Sequence, residues 1–90
     1  MSVKINLASS LHHLTNDQAV VEVNGNTIGQ CLEQLIARFP RTRKRLLEKN
    51  GALNRIINIY INGESVSPEG LATAVKDGDE FHIEVIISGG

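Results

Sequence analysis

The chain closes with Asp77-Gly78-Asp79-Glu80-Phe81-His82-Ile83-Glu84-Val85-Ile86-Ile87-Ser88-Gly89-Gly90. Phe81, Ile83, Val85 and Ile87 alternate with His82, Glu84 and Ile86, the period-two pattern of a strand with one face in the core. The Asp-Gly-Asp sequence ahead of it is a tight turn. So apolar a strand is expected to be internal to a sheet or well paired. Ser88-Gly89-Gly90 then gives a tip whose glycines can take backbone angles closed to other residues. Four residues reach at most roughly 14 Å from the body, enough to place a C-terminal carboxylate in another protein's active site. Set against this is an ordinary frayed end. At average glycine usage a terminal Gly-Gly occurs in roughly one chain in 200, so the pair alone leaves both readings open.

Working outward, Arg55-Ile56-Ile57-Asn58-Ile59-Tyr60-Ile61 reads as the strongest strand, with Ile57, Ile59 and Ile61 on one face and Asn58 and Tyr60 on the other. Asn62-Gly63 follows directly, a hairpin signal because a type I′ turn needs positive φ at both centres. Ser65 and Val66 belong to a short returning edge strand, and residues 67–75 make an irregular crossing. Upstream, Thr27 begins the clearest helix. Thr27 and Gln30 have capping-box spacing, Ile28, Leu32, Leu35, Ile36 and Phe39 form an apolar stripe, and Pro40 stops it. A shorter helical or turn segment is expected over 41–49, with Leu46 and Leu47 as its apolar contacts. Near the N-terminus, Val3, Ile5 and Leu7 alternate with polar residues. A polar loop is expected at 8–18, and a second strand at Ala19–Val23 with Val21 and Val23 inward, paired antiparallel to the first. The order ββαβ(β)β with one good helix predicts an α+β roll, a mixed sheet curled around that helix. Residues 1–86 are expected to form the domain and 87–90 a flexible tail.

Composition narrows the function classes. Hydrophobic residues make up 41% and charged residues 21% of 90 positions, ordinary for a soluble domain. A formal charge of −1 gives no basic excess for nucleic acid, and three aromatic residues without Trp leave no stacking platform. No signal segment or membrane-spanning apolar run is read, so a cytoplasmic protein is expected. The single cysteine, Cys31, excludes an internal disulfide and reads as a small packed side chain. No Walker-type loop or GxGxxG pattern is present, which places any ATP chemistry on another chain. His12-His13 are adjacent and have poor metal geometry. Ser9 and Ser10 lack a nucleophile-elbow context. The run Arg41-Thr42-Arg43-Lys44-Arg45 reads either as a solvated face or as a dock for an acidic surface.

Asn58-Ile59-Tyr60-Ile61-Asn62-Gly63-Glu64, Gly70-Leu71-Ala72-Thr73-Ala74-Val75, Asp77-Gly78-Asp79-Glu80-Phe81 and Ser88-Gly89-Gly90 together resemble the MoaD/ThiS family of sulfur carrier proteins. The similarity runs over nearly the whole chain, including Thr27-Ile28-Gly29 and Phe39-Pro40 at the ends of the helix. It implies a ubiquitin-like β-grasp fold, with about four to five strands on one main helix, and a carrier rather than an enzyme. It further implies that Gly90 is adenylated by an E1-like partner that holds the ATP, and is then converted to a thiocarboxylate. Gly89, Ser88 and Ile87 would thread the partner's channel. No bound cofactor or metal is expected. For the partner-facing surface the reading is Tyr60, His82, Glu84 and Ile86, since family members often carry an apolar patch on this side of the sheet. Thr73-Ala74-Val75 stands where many molybdopterin-type subunits have Thr-Pro-Leu. Gly70–Ala74, with Asn58–Asn62 upstream, is similar to carriers that donate sulfide in cysteine or homocysteine synthesis. Those carriers work with a pyridoxal-phosphate synthase, or another sulfide acceptor enzyme, and a zinc metalloprotease that releases the new amino acid. The alternatives are supply to a molybdopterin or thiazole (thiamine) synthase, a protein modifier joined through Gly90 to lysines, and a plain β-grasp interaction domain whose tail is incidental.

Overall fold

The computed structural model describes residues 2–66 and 68–86. Five strands, β1 (Ser2–Leu7), β2 (Val20–Asn24), β3 (Ile57–Ile61), β4 (Glu64–Val66) and β5 (Glu80–Val85), form one mixed sheet in the order β2-β1-β5-β3-β4. One helix of three turns, α1 (Ile28–Arg38), lies between β2 and β3 in the chain, followed by the short α2 (Arg43–Leu46). This is the expected roll. As its apolarity predicts, β5 is central: it runs parallel to β1, with Ile5 opposite Phe81, and antiparallel to β3, with Ile59 opposite Ile83.

Alternation determines which residues meet the helix. Val3, Ile5, Val21, Val23, Ile57, Ile59, Phe81 and Ile83 are buried on one face of the sheet, against Ile28, Cys31, Leu32 and Leu35 of α1. Each large side chain removed from water contributes about 1.5–3 kcal/mol, so this layer dominates the domain's stability. Thr27 caps α1, its Oγ1 accepting from the Gln30 N–H at 3.1 Å. The Gln30 side chain reaches back to the Asn26 N–H at 2.8 Å. That is one residue upstream of the reciprocal capping-box partner expected from the spacing. At the other end the Phe39 N–H closes on the Leu35 carbonyl and Pro40 opens a 3₁₀ turn, Pro40–Thr42, that leads into α2. Asn62 and Gly63 both have positive φ, 52° and 81°, as the hairpin reading requires.

Three expectations need correction. Residues 8–18 are not simply loop, because Ser9–Leu14 forms a 3₁₀ helix that buries Leu11 and Leu14. The Thr15 hydroxyl, also buried, closes that segment on the carbonyls of His12 and Gln18. The second strand is Val20–Asn24, one residue later than read. The third begins at Ile57, because Asn54 Oδ1 accepts the Ile56 N–H and holds Arg55 and Ile56 in a turn.

Candidate functional site

The site is built around the end of β5. Pairing with β1 holds β5 as far as Ile83, and the β3 ladder continues to its last residue, Val85, so its C-terminal end is anchored along the β3 edge. The ladder extends one step beyond the strand, where the Ile86 N–H donates to the Ile56 carbonyl at 2.6 Å. Whatever follows Ile86 therefore starts from the middle of the sheet. Ile87, Ser88, Gly89 and Gly90, assigned to the tail from sequence, lie outside the described residues.

The four residues read as a partner-facing surface do come together. Tyr60 of β3 stands directly opposite His82 of β5, and Asn58 opposite Glu84. By alternation these residues and Ile86 occupy the face of the sheet turned away from α1. His82, Glu84 and Ile86 are exposed and Tyr60 is half-buried. The sequence reading missed Ile56. It sits beside Ile86 across the ladder, and the two are 37% and 48% exposed, forming a small apolar step at the root of the tail. The signal was available: in Arg55-Ile56-Ile57 one isoleucine must face outward once the other faces the core.

Cys31 is fully buried in the apolar layer between α1 and the sheet, as expected for a packed side chain. Burial pushes its thiol above the usual range, since a thiolate there would lose its solvation. His12 and His13 have separate roles in the structure. The His12 Nε2 lies 2.9 Å from the Leu7 carbonyl, which assigns the ring proton to that nitrogen, whereas His13 is exposed. Among the described residues no three His, Cys, Asp or Glu side chains converge to hold a metal, and no helix is long and apolar enough to cross a membrane. The basic run is exposed at Arg41, Arg43, Lys44 and Arg45 but interrupted by Thr42, buried and bonded through Oγ1 to the Phe39 carbonyl at 2.7 Å.

Comparison with known proteins bears directly on this arrangement. The profile of the ThiS family matches residues 5–90. The sulfur carrier protein CysO of Mycobacterium tuberculosis is 36% identical over 93 aligned positions, covering the whole of both chains. A chain of the Amycolatopsis orientalis BexX/CysO complex superimposes with a TM-score of 0.86 at 32% identity, over 98% of this chain and 99% of its own. The small archaeal modifier protein 1 of Haloferax volcanii is 34% identical over 71 residues, 78% of each chain. With the β-grasp roll, the central β5 and a family match over almost the whole length, the chain belongs to the ThiS family.

Proposed function

We propose that the chain carries sulfur as a thiocarboxylate on Gly90 and delivers it to cysteine synthesis. The observation that supports this most is the placement of the one thiol. A protein can carry sulfur as a cysteine persulfide or as an acyl sulfur. Cys31 is the single cysteine, and it is sealed beneath α1 with its thiol held protonated. That leaves the terminal carboxylate of Gly90, which follows the central strand in sequence after Ile86, Ile87, Ser88 and Gly89.

The carboxylate is a poor electrophile. Attack of its oxygen on the α-phosphorus of ATP, bound by an E1-like enzyme, expels pyrophosphate and gives an acyl-adenylate. A sulfur nucleophile then displaces AMP, exchanging one carboxylate oxygen for sulfur. In this scheme the chain contributes position: Gly89 and Gly90 pass a narrow channel without a Cβ, Ser88 and Ile87 span it, and β5 fixes the point of departure. Tyr60, His82, Glu84 and Ile86 form the face that docks. The acceptor is a pyridoxal-phosphate synthase, with a zinc metalloprotease releasing the product. Molybdopterin and thiazole synthases are the alternative acceptors.

Intact mass spectrometry after incubation with the activating enzyme, ATP and a sulfide source tests the proposal. Exchange of one oxygen for sulfur is expected in the native chain and not in a chain lacking Gly90. An unchanged mass under active ATP turnover contradicts it. The match to a small archaeal modifier supports a second reading, conjugation through Gly90. Gly90-dependent adducts on lysines of other proteins would favour that reading.

A further inference from the structure

The net charge of −1 conceals a strong segregation. Seven of the nine basic residues and one of the ten acidic ones lie between positions 38 and 55. The topology carries this segment to one end of the sheet. β3 is antiparallel to β5 with Ile57 opposite Val85, so the residues entering β3 arrive where β5 leaves. The Asn54 N–H donates to the Leu46 carbonyl, and a bridge joins Leu47 to Leu53, tying α2 to the same place. Asp77, Asp79, Glu80 and Glu64 sit at the other end, beside the start of β5 and the β3–β4 turn.

Six residues of β5 separate the two ends by about 20 Å. The Debye length at physiological salt is about 8 Å, so an approaching molecule at the tail end feels the basic residues, offset there by Glu84 near the end of β5, and little of the acids at the other end. Arg41, Arg43, Lys44, Arg45, Lys49 and Arg55 are all exposed there. One ion pair is present among the described residues, Arg55 with Glu48 at 3.9 Å, and Arg55 remains 93% exposed in it. Arg43, Lys44 and Lys49 line an open hollow of 510 Å³ together with Leu47, Asn54 and the acidic Glu48. Beside the root of the tail lies the apolar step of Ile56 and Ile86.

We infer that this basic collar is a docking surface for an acidic protein, namely the carboxylate-bearing mouth of the enzyme that activates the tail. The inference rests on the proposed carrier function and extends it by naming the partner's chemistry. An apolar step beside charged residues resembles the core and rim of a protein interface. Nucleic acid fits less well, because no exposed aromatic lies in the collar to stack on a base. Charges on the rim of an interface act mainly on the rate of encounter, and the collar lies at the end of the sheet from which the tail departs. It therefore favours approach with the tail end leading.

The test is the rate of ATP–pyrophosphate exchange by the adenylating enzyme, measured against carrier concentration from low to high salt. Arg43→Gln with Lys44→Gln is compared with Lys4→Gln with Lys76→Gln, which removes equal charge far from the tail. Circular dichroism melts confirm that both variants fold. For the collar variant kcat/KM should fall about tenfold at low salt, through KM, with the deficit closing as salt rises. The distal variant should match the native chain. Equal losses in the two variants, or native exchange indifferent to salt, overturn the inference while leaving the carrier reading intact. Complete absence of exchange with the native chain refutes the carrier reading and the inference together. A labelled single-stranded RNA that binds the collar and competes with the enzyme also overturns it, making polyanion binding the role of this surface.

Discussion

Cys31 should be chemically silent in the folded protein, and the size of that silence can be worked out. Its side chain is fully buried between α1 and the sheet, so a thiol reagent reaches it only when the layer opens. If that opening is global, and the domain has a stability of about 5 kcal/mol, roughly one molecule in 5,000 is open at any instant. An aromatic disulfide reagent should then label the native chain several-thousand-fold more slowly than the chain in urea. Burial also raises the thiol's pKa, and the sign of the linkage follows. The folded state keeps its proton where the unfolded chain loses it. Stability from this group is therefore complete below the ordinary cysteine value of about 8.5 and declines as pH rises toward the folded-state pKa, by at most about 1.4 kcal/mol per pH unit. Urea titrations of native and Cys31→Ala proteins between pH 7 and 10 isolate the effect. The alanine variant should be less stable by ~1 kcal/mol at pH 7 and should lack the extra decline. Labelling within tenfold of the unfolded rate, or identical pH slopes, would show that the thiol is accessible. The elimination that assigns sulfur to the carboxylate would then fail.

Other outcomes follow from particular contacts. A Cβ at Gly25 would lie 2.9 Å from Cys31 Sγ and 3.0 Å from the Cys31 backbone nitrogen. Gly25→Ala should therefore cost about 1–3 kcal/mol by urea unfolding, and adding Cys31→Ala should recover only part, since the backbone contact stays; full recovery would place the strain wholly on the sulfur. Thr27→Ala removes the acceptor for the Gln30 N–H and should cost about 1 kcal/mol, seen as a lower thermal midpoint; an unchanged midpoint would show the cap is replaced. Phe81→Ala, at the centre of the buried layer, should cost about 3–5 kcal/mol, enough to leave much of the chain unfolded by circular dichroism at 37 °C. Gly90→Ala should leave the thermal midpoint unaltered and sharply reduce thiolation by the activating enzyme; normal thiolation would argue against a channel closed to a Cβ.

The strongest local signals were also the ones the fold honours. The stripe from Ile28 to Ile36 between Thr27 and Pro40, the Asn62-Gly63 turn and the apolar alternation of β5 each combine periodicity with a stop signal. Local and tertiary preferences agree there. The 3₁₀ segment was misread because Ser9, Ser10, His12 and His13 outweigh two leucines in composition. Leu11 and Leu14 nevertheless stand three apart, which matches the 3₁₀ repeat, and burial decides in their favour. The side-by-side placement of β1 and β5 was not legible, since it joins residues some 76 positions apart, as in Ile5 with Phe81. The apolar step and the basic collar depend on that topology. Ile56 and Ile86 are 30 residues apart in sequence and become neighbours only through the β3–β5 ladder. The face formed by Tyr60, His82 and Glu84 was legible because all three lie on strands of clear phase, whereas Gly89 and Gly90 rest on sequence and family alone.

The most direct measurement is fragmentation mass spectrometry of the sulfur-loaded protein, native and Cys31→Ala side by side. The account predicts the same sulfur-for-oxygen exchange in both, confined to C-terminal fragments that contain Gly90. Sulfur on fragments spanning Cys31, or its disappearance in Cys31→Ala, would contradict it.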